Sequence, residues 1–335
     1  MTDRQIFHLL DDMAVGGVTR ALSNFEDPLL QQLGLHRYCD IREEIPRARS
    51  MSDIAIVHFT MSWAKLARLA EIRLRGRFKR LCLIEHTYTE GFEAACVEHP
   101  FRFRAMLRQA YRQVDTVIAV SREQAHWLQK NKLVPAHKLE VIPQARDVTE
   151  LLSVPALPMH RPGPLRIGAF GRFGRQKGFD LLIEAMTQIS PETATLKIAG
   201  YGDGDAQLRS LSQGLANVSI EPPFKSPRAF LQSVDAVAIP SRWEAFGLVG
   251  SEARAAARPI IVSAVDGLKD QASDHAFVHA AGDVTAMVAA IEAAAKDNGL
   301  RQRGLRARAK VTCEYDRMIF AWRDLLTGKQ PALCA

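Results

Sequence analysis

The chain has 335 residues, 47% hydrophobic and 24% charged, with a formal net charge of +7. That length exceeds what one hydrophobic core usually serves, so two domains are expected, and the composition excludes a largely disordered or low-complexity chain. The five cysteines, Cys39, Cys82, Cys96, Cys313 and Cys334, are scattered and never spaced C-x-x-C, which argues against a disulfide framework and against a zinc site.

Taken from the start, residues 1–10 lack the basic-then-apolar layout of a secretion signal, and no later run is apolar for long enough to span a bilayer. A cytoplasmic protein is expected. Short aliphatic runs at 6–10, 54–59, 81–85, 116–120 and 140–143 alternate with helical stretches, the rhythm of a parallel sheet with crossover helices. After the first run a short acidic loop leads to Gly16-Gly17 and a helix from Val18. Adjacent glycines there either admit a ligand close to the backbone or form an ordinary turn.

The same half carries the positive charge. Between Lys65 and Arg80 there are seven basic residues against Glu71 alone, and Arg102, Arg104, Arg108 and Arg112 follow with no acid among them. Each run alone reads as a solvated helix face. Together they point equally to an anionic partner, a phospholipid headgroup or a pyrophosphate-bearing acceptor, and so to peripheral contact with the inner face of a membrane. No helix-turn-helix, zinc spacing or aromatic-interleaved motif accompanies them, so nucleic acid is not expected as a partner. The 81–85 run ends in His86, an imidazole at a strand end where structural and catalytic readings both stand. His58 holds the equivalent place after the preceding run.

A proline-rich stretch at 153–164 interrupts the rhythm and reads as a linker, giving expected domains at 1–155 and 164–315. Strands are expected again at 165–170, 195–200, 218–220, 236–240 and 259–262. A last amphipathic helix, about 316–330, has Ile319, Phe320, Trp322, Leu325 and Leu326 to bury against either domain. Strand 165–170 runs straight into Gly171-Arg172-Phe173-Gly174-Arg175-Gln176-Lys177-Gly178 before a helix. The glycines alone favour a plain βα turn, but they also let backbone approach a ligand, and Arg172 and Lys177 beside a helix start tilt the reading toward a diphosphate. The loop is neither a Walker loop nor a dinucleotide fingerprint.

After strand 236–240 come Glu244 and Glu252, eight residues apart, flanking the start of a helix expected from Leu248 to Ala257. Two carboxylates so placed can accept hydrogen bonds from sugar or ribose hydroxyls, while the amides of Phe246, Gly247 and Leu248 face outward for phosphate oxygens. Singly, Glu252 reads as a first-turn acid favoured by the helix dipole and Glu244 as a loop acid. Asp203-Gly204-Asp205 invites a metal-dependent reading, but the flanking glycines mark a turn and Asp205 is placed to cap a helix from Ala206.

Together, Gly171-Arg172-x4-Lys177-Gly178 and Pro240-Ser241-x2-Glu244-x-Phe246-Gly247-Leu248-x3-Glu252-Ala253 resemble glycosyltransferase family 4. The resemblance implies an α/β GT-B fold, two Rossmann-like parallel-sheet domains facing a cleft, and sugar transfer with retention. It implies that the C-terminal domain holds a nucleotide-diphosphate sugar and the N-terminal domain an acceptor, such as a glycan, lipid-linked or cell-envelope precursor. Arg172 and Lys177 would hold the diphosphate, Glu244 the sugar and Glu252 the ribose. Gly16, Gly17, Gly171, Phe246, Gly247 and Leu248 would place the donor, His86 would serve catalysis, and no metal or other cofactor would be needed. Ser121 and Pro143 also match family positions. The chain departs from the pattern at residues 141–146, which lack an Asn-Gly after proline, at 256–259, which lack a glycine before proline, and at Lys269-Asp270. The alternatives are a nucleotide-sugar epimerase or hydrolase on the same plan, and a non-catalytic nucleotide-sugar or anionic-membrane binding protein.

Overall fold

The computed structural model describes residues 4–11 and 22–329; the Gly16-Gly17 loop and the helix expected from Val18 lie outside the described residues. The aliphatic runs form strands because Val and Ile pack well on a pleated surface, and the central ones, such as Ile54–Val57, Thr116–Ala119, Ala236–Ile239 and Ile260–Ser263, are buried on both faces and lack polar alternation. Among the described residues there are two six-stranded sheets, parallel throughout. The first contains β1 (Gln5–Leu10), β2 (Leu35–Asp40), β3 (Ile54–Val57), β4 (Arg80–Glu85), β5 (Thr116–Ala119) and β6 (Leu139–Val141), in the order β2-β1-β3-β4-β5-β6. The second contains β7 (Leu165–Arg172), β8 (Ala194–Tyr201), β9 (Val218–Glu221), β10 (Ala236–Ile239), β11 (Ile260–Ser263) and β12 (Ala276–His279), in the order β12-β11-β10-β7-β8-β9.

In the second sheet the winding reverses between β7 and β10, and in the first between β1 and β3. Loops leaving the carboxyl ends of neighbouring strands on either side of such a reversal diverge and leave room for a ligand. The chain divides into two compact units, one running through Arg146 and resuming at Asp316, the other Asp147–Tyr315. Each has its own core: Leu9, Val57, Leu83 and Val117 with Tyr111 and Trp127 in the first, Ile167, Leu196 and Ile198 with Leu182 and Ile291 in the second.

The proline-rich stretch is packed on the second unit. Val154 and Leu157 are buried, and the carbonyls of Val154, Pro155 and Leu157 accept from Arg308, Arg258 and Arg301. The final helix, Glu314–Thr327, buries Met318, Ile319, Trp322, Leu325 and Leu326, and the carbonyls of Leu325 and Leu326 accept from Arg80 and Arg4 in the first unit. Phe320, expected to bury, is 48% exposed with the Arg323 guanidinium over its ring. Ile319, Trp322 and Leu326 lie on one stripe at helical spacing, and Phe320 falls to one side of it.

The basic runs are partly neutralised. On the Trp63–Gly76 helix, Lys65 pairs with Asp11, Arg68 and Arg75 with Glu71, and Arg73 with Asp115, while Arg104 on the Pro100–Arg112 helix pairs with Glu93. Among the described residues no helix is long and apolar enough to cross a membrane.

Candidate active site

At the carboxyl edge of the second sheet, β7 ends in Gly171 and Arg172, and a short turn, Arg175–Lys177, leads to Gly178 and the Phe179–Met186 helix. Gly178 has φ +66°, and a Cβ there would lie 2.1 Å from the carbonyl oxygen of Pro240. Only glycine lets the loop after β7 lie directly against the loop after β10. Arg242 ties the same loops together, donating through its backbone N–H to the Gln176 carbonyl and through its guanidinium to both Asp180 oxygens, at 2.8 and 2.7 Å. Burial works to raise the Asp180 carboxyl, but the Arg242 hydrogen bonds outweigh it and hold it below its ordinary value.

Within this frame Lys177 Nζ donates to Glu244 Oε2 at 2.5 Å, with only 21% and 12% of the two side chains exposed. Ser241 Oγ donates to the same carboxylate oxygen at 3.3 Å. The Glu244 backbone is held from the loop after β11: its N–H donates to Asp266 Oδ2 and its carbonyl accepts from the Gly267 N–H. The ammonium and carboxylate are therefore set by three loops from adjacent strands.

Gly247, at φ +90°, turns the chain into the Leu248–Ala255 helix. The first amides of that helix have no partner within it. Gln271 clamps the turn, donating through Nε2 to the carbonyls of Phe246 and Gly247 at 2.6 and 2.9 Å. Its Oε1 accepts from Arg254, whose buried guanidinium also pairs with Glu314 at 2.6 Å. Gly250 is required as well, since a Cβ there would meet Gln271 Oε1 at 2.3 Å. A buried, fully paired polar network of this kind fixes a loop more tightly than apolar packing does. The helix ends at Ala255, two residues short of the expected Ala257, because Ala257 takes φ +53°, the left-handed conformation a glycine would adopt without strain.

The structure thus brings Lys177 and Glu244 into contact, with Gly171, Phe246, Gly247 and Leu248 on the same or adjoining loops. Arg172 is exposed, and its guanidinium has no side-chain partner among the described residues. Glu252 is buried in the second turn of the Leu248–Ala255 helix. Gln271, Arg254, Asp266, Arg242 and Glu314 escaped the sequence reading. The Asp203-Gly204-Asp205 triplet is a turn, but Gly204 is the cap and Asp205 lies inside the Asp205–Ser212 helix, paired with Arg209 at 2.8 Å. Asp205 therefore does not cap, because Gly202 and Gly204 lie against Phe173 and set the turn themselves.

At the carboxyl edge of the first sheet, the turn after β4 is organised by Glu85. Its Oε1 accepts from the Thr87 and Tyr88 N–H groups at 2.9 Å each and its Oε2 from the Tyr111 hydroxyl at 2.7 Å, which holds His86 at the strand end. Burial raises the Glu85 carboxyl, opposed by those hydrogen bonds. Burial brings His86 down to about 4 and pulls His58 well below its ordinary value. The two rings stack, with centroids 5.8 Å apart. Ser121 caps the Arg122–Lys130 helix, accepting from the Gln124 N–H.

Two doubly wound parallel units, with a cation, carboxylates and a helix start converging at a switch point, define the class of two-unit α/β proteins with a polar site on the second sheet. Residues 164–297 match the family described as Glycosyl transferases group 1, and residues 18–150 match Glycosyltransferase Family 4. Between them these matches cover most of the chain, which belongs to the group 1, family 4 glycosyltransferases and has the GT-B fold. Curated relatives include a D-inositol 3-phosphate glycosyltransferase of Xylanimonas cellulosilytica, 29% identical over 46% of this chain and 42% of that protein. A phosphatidyl-myo-inositol mannosyltransferase of Mycobacterium leprae is 29% identical over 65% and 60%. The chain spans about half the length of these two relatives. Among solved structures, a sucrose-phosphate synthase from Thermosynechococcus elongatus superposes with TM-score 0.73 at 18% identity, over 97% of this chain and 98% of that one. Anabaena HepE in complex with UDP and glucose superposes with TM-score 0.72 at 17% identity, over 97% and 99%. At those identities the likeness establishes the fold.

Proposed function

We propose that this chain is a retaining glycosyltransferase that moves a sugar from a nucleotide-diphosphate sugar to an acceptor hydroxyl on a glycan, lipid-linked or cell-envelope precursor. The observation that carries the reading is the Lys177–Glu244 pair, 2.5 Å apart at the switch point of the second sheet and beside the start of the Leu248–Ala255 helix. An ammonium has three donors, so Lys177 can keep Glu244 and still turn an N–H toward a phosphate. Arg172 adds a second cation, and the amides of Phe246, Gly247 and Leu248 add uncharged donors. Glu244 takes the donor sugar, Glu252 the ribose, and the first unit the acceptor, with His86 beside it.

In the reaction the acceptor oxygen bonds to the anomeric carbon as the bond from that carbon to the diphosphate oxygen breaks, on the same face of the sugar. The acceptor's proton passes to the leaving phosphate. Charge grows on the diphosphate, and each charge-assisted hydrogen bond from Arg172 or Lys177 is worth roughly 1.5–3 kcal/mol, so the protein's own cations suffice without a metal. The names of the two curated relatives favour a polyhydroxylated acceptor that carries phosphate. Contact with an anionic membrane through the basic runs belongs to the same proposal, at the level of salt-sensitive sedimentation with anionic vesicles.

The test is to screen nucleotide sugars for binding, then assay the best binder with candidate acceptors for nucleotide release and sugar transfer in excess chelator. Transfer that depends on acceptor supports the reading. Donor consumed without acceptor points to an epimerase or hydrolase, and binding without turnover to a binding protein.

A further inference from the structure

On one face of the first sheet four histidines make a continuous row. His36 Nε2 lies 3.2 Å from the carbonyl oxygen of Leu30, His36 Nδ1 lies 2.9 Å from His8 Nε2, and His8 Nδ1 lies 2.9 Å from His58 Nε2. His58 stacks in turn on His86. His8 and His58 are 0% and 3% exposed. Among the described residues, His58 Nδ1 and His86 Nε2 are buried with no hydrogen-bond partner. Both rings line one cavity of about 30 Å³, whose walls are otherwise chiefly apolar, Ile84, Ile118, Val120 and Trp322 among them.

A carbonyl oxygen only accepts, so His36 carries its proton on Nε2. Burial lowers His36 below its ordinary value, which keeps the ring neutral at pH 7 and leaves Nδ1 as an acceptor. His8 must then donate through Nε2, its Nδ1 is an acceptor in turn, and His58 must donate through Nε2. We infer that the Leu30 carbonyl sets the direction of this whole chain, so that His58 presents a permanently bare Nδ1 to the cavity, and that this nitrogen and His86 Nε2 together form a binding site for one water molecule. The volume suits a water or two and is far too small for a sugar, and a buried water takes two to four polar partners.

A water that donates to His58 Nδ1 holds His86 by its inner nitrogen, accepting from Nε2 or donating to it, and so keeps the other ring nitrogen, Nδ1, turned outward. His36, His8 and His58 are then positioning residues for His86. That last step rests on the catalytic reading of His86, whereas the direction of the chain does not.

Nitrogen-15 imidazole spectra of the full chain without substrate test the direction. The expected result is His58 protonated on Nε2 and bare on Nδ1. His36→Leu, which offers His8 no acceptor, leaves His58 in both tautomers, and His36→Asn, whose amide oxygen accepts from His8, restores the single one. A His58 proton on Nδ1, or an unchanged single tautomer in His36→Leu, overturns the chain. A crystal structure with ordered water elsewhere and a dry cavity overturns the water site. Once a transfer assay is in hand, His36→Leu lowers kcat about tenfold with the donor KM unchanged, and His36→Asn recovers it. Equal kcat in all three proteins overturns the positioning role and leaves the transferase reading standing.

Discussion

Lys177 donates to Glu244 across two loops that are 67 residues apart in sequence and in contact only because Gly178 has no side chain. The pair depends on a backbone approach, and that dependence is measurable. Gly178→Ala places a methyl against the Pro240 carbonyl and strains a φ of +66°, and should cost on the order of 2 kcal/mol in unfolding free energy. Gly174→Ala, four residues earlier with nothing within 4 Å of the new methyl, should be neutral or slightly stabilising. Equal costs at both positions would show that the loop contact does not matter.

Gln271 holds the Gly247 turn by two donated hydrogen bonds and supports Arg254 by a third. Gln271→Leu leaves those buried partners unsatisfied, so about 1–3 kcal/mol of stability should be lost. Donor affinity should weaken at the same time, because the helix start is no longer fixed. Thermal unfolding and calorimetric titration with the best-binding nucleotide sugar measure both effects. A loss of stability with donor affinity intact would limit Gln271 to a structural part.

The Ala257 strain predicts a gain. At φ +53° a non-glycine residue carries about 1–2 kcal/mol of steric cost. Ala257→Gly should recover part of it, a net stabilisation of about 0.5–1 kcal/mol after the entropy glycine adds to the unfolded chain. Denaturant titration reads this directly, and a lower midpoint would contradict it.

The histidine row predicts a pH dependence with a defined sign. His8, lowered to about 3, and His86, lowered to about 4, stay neutral in the folded chain, each mainly through burial. The unfolded chain takes up protons on them below their ordinary 6.5. The unfolded state therefore binds more protons between those values, so stability is full above about 6.5 and falls as pH drops toward 4. His8→Leu should flatten the change in thermal midpoint between pH 7 and pH 5. Parallel curves for the two proteins would contradict the assignment.

Much of the second unit's site was legible because its residues sit immediately after aliphatic strands, and strand order then brings those loops together. Lys177, Glu244 and the Phe246-Gly247-Leu248 turn belong to that group. Gln271, Arg254, Asp266 and Glu85 were not legible, since a polar side chain's burial and partners arise from packing between distant elements. His8 was hidden for another reason: one imidazole inside an aliphatic run reads simply as strand. The unforeseen strands, β2 and β12, lie at sheet edges, where Leu35 and Tyr38 are exposed and no continuous apolar run is required. Ala257 carries the one departure from the family pattern whose cost is visible, as a residue held in a conformation that suits glycine.

The proposed contact of Arg172 and Lys177 with the leaving diphosphate is tested most directly by turnover of Arg172→Ala and Lys177→Ala with donor and acceptor saturating. Each should fall by at least about tenfold, the factor equivalent to 1.4 kcal/mol of transition-state stabilisation. Unchanged turnover in both variants would contradict the account.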